Sequence, residues 1–441
     1  MYLKNSVNDR QLWYLCISSA VIGVAAFFAA KILLYGIAFF TNLFYLQKIS
    51  FDEIHLAAIQ PKLWFLFIPV AGGIIVGLIA KFGSAGIRGH GIPEAMEKIL
   101  YGDSKIPRRM TFLKPLASAI AIGSGGPFGA EGPIIATGAS LGSWIGRHTS
   151  FNAHQRKILL AAGAAAGMTA VFGTPLSAIL ICIELLLFEF SASSFVPVVV
   201  AVATSYTIRL ALGQTHPVFE MDNAPVMLNS NILFYFFTGL IVGAISCAVS
   251  KLVFVVEDLF EKLPVHWMYW PAIGGLAVGT IGLIEPRSLG VGYINITDAL
   301  HSNLLLEGAL LLFVWKFISW VIALGSGTSG GTLAPLLTFG SSLGLVIGLL
   351  GQKFFPGLMI RPEMCALVGM SAMFAGATRA ILTSTVFALE ATGVVTGVAP
   401  LLMGNSAAYL MSMLFMKETI MTEKLSRRGK HVPSDYFHVK L

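Results

Sequence analysis

The sequence predicts an all-α protein that crosses a membrane several times. Of its 441 residues, 56% are hydrophobic and only 12% are charged, a balance too apolar for an ordinary soluble protein. Long apolar segments recur along the chain, and many are interrupted by glycine or proline rather than by charged residues. Because one spanning helix needs about 20 apolar residues, stretches such as 13–46 and 112–145 are long enough for hairpins or tilted pairs. Broken and partial crossings are expected rather than uniform spans.

The chain contains an internal repeat. The segment AIGSGGPFGAEGPIIATGASLGSWIG (121–146) aligns without a gap on ALGSGTSGGTLAPLLTFGSSLGLVIG (323–348), at an offset of 202 residues. Repeated halves that are broken by Gly and Pro at matching positions are typical of transporters with a site near the bilayer midplane. For Gly138 and Gly142, close helix packing is the simpler interpretation. The predicted organisation is a first membrane repeat at 1–213, a linker at 214–230, a second repeat at 231–422 and a short basic tail at 423–441.

The net charge of +7 is interpreted as a topology signal. Basic residues are concentrated in the tail, so the positive-inside rule predicts a cytoplasmic C-terminus. The first apolar run is too long for a signal peptide and is interpreted as a membrane element, and both termini are expected in the cytoplasm. No basic face with interleaved aromatic residues indicates a nucleic-acid partner. The four cysteines and nine histidines lack metal-ligand spacing, so neither a metal nor another cofactor is expected.

The segment GSGGPFGAEGP (123–133) places one acidic side chain, Glu131, among five glycines and two prolines. This composition disfavours a continuous helix. A half-helix that begins after the break exposes backbone N–H groups with partial positive charge, and such ends bind anions. Glu131 would be a tethered anion at this end, and protonation would remove its charge and release it. We therefore interpret Glu131 as a proton-sensitive gate; a structural salt bridge is the alternative.

Three signatures resemble those of a known family. In order and spacing, GHGIPE (89–94), GSGGPFGAEGP (123–133) and GTLAP (331–335) resemble the anion-pathway signatures of the CLC family of chloride channels and proton-coupled anion exchangers. Lys114, FGTPLSAILICIE (172–184) and KETIMTEKLSRRG (417–429) extend the resemblance over nearly the whole chain.

The resemblance implies a CLC-type fold of two inverted-topology halves with tilted and broken helices. It also implies a homodimer with one anion pathway in each subunit and Glu131 as the external gate. The residues that it implies around the anion are His90, Gly91, Ile92, Gly129, Ala130, Thr332, Leu333 and Met421. The short tail is expected to carry no nucleotide-binding regulatory (CBS) domain, as in bacterial members of the inner (plasma) membrane.

Four positions depart from the family pattern. His90 stands where many members have serine, Leu333 where phenylalanine is common, and Met421 where a tyrosine often closes the inner site. His90 either donates a hydrogen bond to the anion or only caps a turn. Leu185 stands where some exchangers carry an inner proton-relay glutamate, so the neighbouring Glu184 is the candidate relay, with a structural role as the alternative. Glu94 is interpreted as a helix-start carboxylate rather than a proton carrier.

The resemblance implies chloride/proton exchange, and the alternative is a passive voltage- or pH-gated chloride channel. Chloride or another small anion, protons and the lipid bilayer are the expected partners. A more distant hypothesis is an intramembrane serine protease, because GTSG (327–330) matches the GxSG of rhomboid proteases. That chemistry requires a histidine base near the serine, and the histidines here lie in loops or at segment ends. The chain is therefore not expected to be an enzyme.

Overall fold

A computed structural model describes residues 9–149, 151–189, 191–221 and 228–433. Within these ranges the regular structure is helical, apart from two isolated β-bridges. The helices of the first half are α1 (Asp9–Thr41), α2 (Ile68–Phe82), α3 (Ile92–Tyr101), α4 (Met110–Gly123), α5 (Glu131–His148), α6 (Ala153–Phe172), α7 (Pro175–Ile181) and α8 (Ala192–Ala211). Those of the second half are α9 (Leu228–Glu261), α10 (Trp270–Ile284), α11 (Tyr293–Leu300), α12 (Leu306–Gly325), α13 (Leu333–Phe354), α14 (Pro362–Thr378), α15 (Ile381–Thr392) and α16 (Val398–Phe415), and the short α17 (Glu423–Arg427) follows.

The two halves repeat the same order of helices with inverted topology, as predicted. Among the described residues, eight helices are long and apolar enough to cross a membrane, which confirms the polytopic membrane fold. Helix α2 packs on α10, α5 contacts α13 and α7 packs on α15, so repeat mates meet. At the α2–α10 contact, Gly73 faces the backbone of Pro271 and Gly275 faces that of Pro69. A side chain at either glycine would collide with the partner helix, so glycine sets this close approach.

The long apolar stretches form two kinds of element: a pair of helices separated by a break, and a single long helix. Stretch 112–145 is a broken pair, because α4 ends at Gly123 and α5 begins at Glu131. The first stretch is instead one helix, α1, of 33 residues. At 1.5 Å per residue it is about 50 Å long, against a hydrocarbon core of about 30 Å. Such a helix must tilt or extend beyond the core.

A buried lysine clamps a glycine-containing loop in each half. Lys114 of α4 donates to the carbonyl oxygens of Ile87 (2.8 Å) and Gly89 (2.7 Å). Its repeat mate Lys316 of α12, 202 residues later, donates to those of Ser288 (3.0 Å) and Gly290 (2.6 Å). Both ammonium groups are fully or almost fully buried. The two clamps fix the loops that lead into α3 and α11.

The start of α7 and the start of α15 are capped reciprocally by glutamates. Glu184, just after α7, accepts hydrogen bonds from the N–H groups of Leu382 (3.2 Å) and Thr383 (2.9 Å) and from the Thr383 hydroxyl (2.5 Å). Glu390 of α15 accepts from the N–H groups of Leu176 (2.9 Å) and Ser177 (2.8 Å). Each carboxylate satisfies backbone donors that a helix start leaves free.

The segment after α16 docks on α3 through ion pairs. Arg428 and Lys430 both contact Glu97, and Lys424 lies 3.8 Å from Glu94. Burial alone would raise the pKa of Glu97, but the hydrogen bond from Lys430 and the charge of Arg428 outweigh it and lower that pKa.

The repeat, linker and tail boundaries stay predictions. Residues 222–227 of the predicted linker and 434–441 of the predicted tail lie outside the described residues.

Candidate functional site

The Glu131 side chain is fully buried at the first residue of α5. Its Oε1 accepts a hydrogen bond from the Tyr293 hydroxyl at 3.0 Å. Within the described part of the chain its Oε2 has no hydrogen-bond partner of ordinary geometry, although the backbone N–H of Ala334, in the first turn of α13, interacts with the carboxylate. The carboxylate therefore lies between the starts of α5 and α13, where two sets of free N–H groups concentrate positive potential.

The starts of α5 and α13 are joined through two glycines. The N–H of Gly331 donates to the carbonyl oxygen of Gly129 at 2.9 Å, and the reverse bond measures 3.3 Å. A Cβ atom at Gly129 would collide with the Glu131 carboxylate, and one at Gly331 would lie 2.8 Å from Oε2. Glycine at both positions is required for the carboxylate to occupy this space.

Two cavities lie close to Glu131, and they are lined by different elements. The first, which we call the Tyr293 cavity, has a volume of about 530 Å³ and is lined by Tyr293 and the 290–292 loop. The second, the His90 cavity, has a volume of about 500 Å³ and is lined by His90 and its flanking glycines. Glu131 lines neither cavity. It lies between them, since Tyr293 bonds its carboxylate while the His90 carbonyl packs against Gly132.

Both cavities carry more cationic than acidic side chains. The charged residues of the Tyr293 cavity are Lys31, Arg209, Arg287 and Glu53. Those of the His90 cavity are Arg88, Lys98, Lys114, Lys424, Arg428, Glu94, Glu97, Glu257 and Glu261. A cationic lining raises the local concentration of anions at a cleft.

The first signature packs directly on α5. His90 is 6% exposed and its Nδ1 has no hydrogen-bond partner among the described residues, so within this part of the chain the ring keeps a free polar atom in the His90 cavity. Gly91 faces the Gly132 carbonyl, and Ile92 is buried at the start of α3. The N–H of Gly91 donates to Glu94 Oε2 at 2.8 Å, which confirms Glu94 as a helix-start carboxylate.

The remaining predicted residues occupy different environments. Ala130 and Thr332 directly precede α5 and α13, Leu333 begins α13, and all three are buried. Thr332 Oγ1 has no hydrogen-bond partner in the part of the chain that the structure describes. Met421 is fully buried, but it lines neither cavity.

Glu184 caps α15, as the structural alternative requires, and Leu185 beside it is buried. A proton-relay role for Glu184 stays a prediction.

The two glycines predicted to allow close helix packing both lie against another helix. Gly138 lies against the Gly163 backbone and Gly142 against Leu159. Close helix packing is therefore confirmed for both.

Tyr293 is a site residue that the sequence interpretation missed. It is the first residue of α11 and follows Gly292, which has a positive φ. The segment GVGYI (290–294) corresponds to GHGIP (89–93) at an offset of 201 residues, and Gly290, like Gly89 and Gly91, also has a positive φ. Tyr293 is thus the repeat mate of Ile92. A search for degenerate repeats of the first signature would have found it.

The serine of the GTSG segment is hydrogen-bonded to another serine, not to a histidine of the described residues. Ser329 is fully buried, and its hydroxyl is hydrogen-bonded to that of Ser118 at 2.8 Å. In the described part of the chain, no histidine forms a hydrogen bond with Ser329. Over the same residues, no group of three or more His, Cys, Asp or Glu side chains is placed to hold a metal ion.

Residues 72–413 match the family model described as voltage gated chloride channel. The chain belongs to this family, the CLC family. The predicted resemblance is confirmed. Among curated relatives, the H(+)/Cl(-) exchange transporter ClcA of Salmonella arizonae is 30% identical over 430 residues, which cover 92% of this chain and 88% of the relative. The putative chloride channel protein ClcB-like of Ralstonia nicotianae is 28% identical over 78% of this chain and 81% of its own length.

Solved structures share the CLC fold. A slow cyanobacterial Cl-/H+ antiporter superposes with a TM-score of 0.83 at 22% identity, over 94% of this chain and 97% of the other. A CLC-type fluoride/proton antiporter gives a TM-score of 0.75 at 22% identity, over 93% and 98%. These proteins are named for transport or for channels, not for enzymatic catalysis. Membership of the CLC family also identifies this chain as an integral membrane protein.

Proposed function

We propose that this chain exchanges chloride, or another small anion, for protons across a membrane, with Glu131 as the protonatable gate. The observation that carries the proposal is the buried Glu131 carboxylate between the starts of α5 and α13, at a point separating two cation-lined cavities. A carboxylate there occupies the position that suits a transported anion. The exchange-transporter and antiporter names of CLC relatives support the same function.

The proposed mechanism follows from competition for one positive region. When ionised, the Glu131 carboxylate is attracted by the helix starts and blocks passage between the cavities. Protonation removes its charge, so an anion displaces the side chain and is held by the same N–H groups. Partial charges bind the anion weakly enough for release, unlike a fixed Lys or Arg. Return of the ionised carboxylate expels the anion, which couples the two fluxes.

A passive chloride channel is the second candidate. Leu185 favours it, because a buried leucine beside Glu184 cannot carry a proton. The antiporter relatives favour exchange. His90, Leu333 and Met421 differ from the common family pattern, so the preferred anion has to be measured, with fluoride as one test ion because a structural relative is named for it.

The deciding experiment uses purified protein in liposomes with a pH gradient, equal chloride on both sides and the membrane potential clamped at zero. Exchange predicts net chloride movement, in the direction opposite to proton flow, although no chloride gradient is present at the start. Flux that appears only after a chloride gradient is imposed would identify a channel. If chloride does not move under either condition, the assay is repeated with fluoride and nitrate, and failure of all three anions would overturn the transport proposal.

We also propose a homodimer in a bacterial inner membrane, with both termini in the cytoplasm. The CLC resemblance supports the dimer, and the basic residues Lys424, Arg427, Arg428 and Lys430 support the orientation through the positive-inside rule. Native mass spectrometry is expected to give twice the chain mass of 47.1 kDa. A cysteine introduced at Lys430 is expected to react with a membrane-impermeant reagent only from the cytoplasmic side.

Replacing Tyr293 by phenylalanine is expected to shift the pH midpoint of anion transport to higher pH by about one to two units. The hydroxyl donates to Glu131 at 3.0 Å and so stabilises the ionised gate, by about 1.5–3 kcal/mol for a hydrogen bond to a charged group. Without it the gate is protonated at lower proton concentration. The measurement is initial chloride flux between pH 4 and 8. Tyr45→Phe is a matched control, because its buried hydroxyl donates to the Ser124 carbonyl instead.

A further inference from the structure

An apolar groove runs along the outside of the first half between α1, α4 and α5. Its volume is about 480 Å³, within the range of about 300–1,000 Å³ found for ligand pockets. The floor consists of small residues, including Ala29, Gly36 and Ala119, and the walls include Phe28, Ile32, Phe40, Phe112, Leu116 and Trp144. The hydroxyls of its two threonines are already used: Thr111 bonds Ser140 and Thr137 bonds the Pro133 carbonyl. The groove itself therefore suits a hydrocarbon chain.

The length of the groove matches one leaflet. Along α4 its lining runs from Thr111 to Ala119, about 12 Å at 1.5 Å per residue, and Arg108 lies just before this helix. The hydrocarbon core is about 30 Å thick, so the groove extends through roughly half of it. One acyl chain that enters at Arg108 reaches this depth.

A cluster of arginines without acidic partners lies at the Arg108 end. Arg147 is close enough to Arg108 and Arg156 to be repelled by both charges. None of these three arginines takes part in an ion pair among the described residues, and Arg156 Nε has no hydrogen-bond partner.

The other polar groups at this end do not neutralise the cluster. Arg108 Nη2 lies 3.0 Å from His148 Nε2, and His148 Nδ1 lies 2.8 Å from the Trp144 carbonyl. Both contacts fit hydrogen bonds in which Nδ1 donates to the Trp144 carbonyl and Nε2 accepts from Arg108. The carboxylates of the flanking chain segments have other partners, since Asp103 pairs with Lys105, and Glu189 with Lys157 and His154.

We propose that this groove binds one anionic phospholipid, with an acyl chain between α1, α4 and α5 and the phosphate on Arg108 and Arg147. Guanidinium groups match phosphate geometry and form charge-assisted hydrogen bonds with it. Basic pockets beside transmembrane helices are a recognised means of selecting anionic lipids. A neutral lipid fills the groove equally well, so headgroup charge is the source of selectivity. This site is separate from the Glu131 region and does not depend on the proposed exchange activity.

The test compares retention of phosphatidylglycerol and phosphatidylcholine with identical acyl chains. Full-length protein in a neutral detergent is titrated with each lipid, and bound lipid is counted by native mass spectrometry. We expect one phosphatidylglycerol per chain at concentrations at least fivefold below those needed for phosphatidylcholine. The double variant Arg108→Gln/Arg147→Gln is expected to remove this preference, and Lys262→Gln, at an exposed lysine after α9, is expected to preserve it.

A second variant separates the groove from the charges. Ala29→Phe fills the groove and leaves the arginines in place, so it is expected to lower phosphatidylglycerol retention at least fivefold. Inorganic phosphate at millimolar concentration is not expected to compete. Equal retention of the two lipids, an unchanged preference in the double arginine variant, full retention in Ala29→Phe, or displacement by phosphate would each overturn the proposal. Size-exclusion elution and transport rate report whether each variant is folded.

Discussion

Glu131→Gln is expected to abolish proton-driven chloride movement while anion flux down a gradient persists. Glutamine has nearly the shape of glutamate but neither binds nor releases a proton at the relevant pH. It also carries no charge to be attracted by the starts of α5 and α13, so it does not compete with the anion there. We expect accumulation under a pH gradient to fall below a tenth of the wild-type value and the remaining flux to lose its pH dependence.

The matched control is Glu307→Gln, at an exposed glutamate in the first turn of α12. It removes the same charge at a helix start without touching the buried site, so coupling should be unchanged. Glu94→Gln provides a second comparison, because Glu94 caps α3 through Gly91, and we expect this variant to lower stability and to keep coupling. Proton-driven uptake that persisted in Glu131→Gln would exclude Glu131 as the coupling group and leave the family assignment intact.

The break before Glu131 was predictable because its causes are local. Five glycines and two prolines in 123–133 prevent a continuous helix whatever surrounds them, and α5 begins at Glu131. The aligned segment 323–348 shares this pattern in the second half, and α13 begins there at Leu333. The helical membrane fold followed in the same way from composition and from the spacing of apolar segments.

The contact between Glu131 and Tyr293 was not predictable from either local segment. The two residues are 162 positions apart and meet only because the inverted halves bring α5 and α11 together. The GVGYI segment preserves the glycines of the first signature but has lost its proline and its acidic residue, so the repeat was too weak to recognise at that point. The reciprocal caps by Glu184 and Glu390 escaped prediction for the same reason, since each joins opposite halves.

Lys316→Met and Lys114→Met are each expected to destabilise the protein by at least about 2 kcal/mol, since each removes two hydrogen bonds donated by a charged group. Methionine fills a similar volume but leaves two buried carbonyl oxygens without a donor. Removing the buried charge offsets part of this cost. For a chain of this length we expect the thermal midpoint in detergent to fall by about 2 °C or more, measured by scanning fluorimetry. Lys353→Met, at an exposed lysine of α13, should leave it unchanged.

The two lysine variants should differ in transport although they resemble each other in stability. Lys316 holds the carbonyl of Gly290, in the loop that precedes Tyr293, whereas Lys114 holds that of Gly89, beside His90. Loosening the first loop weakens the Tyr293 hydrogen bond to Glu131, so Lys316→Met should move the pH midpoint of transport upward, in the same direction as Tyr293→Phe. In the Tyr293→Phe background the additional shift should disappear, because both changes act through one hydrogen bond. Equal pH profiles for Lys316→Met and the wild type would show that the clamp stabilises the fold without positioning Tyr293.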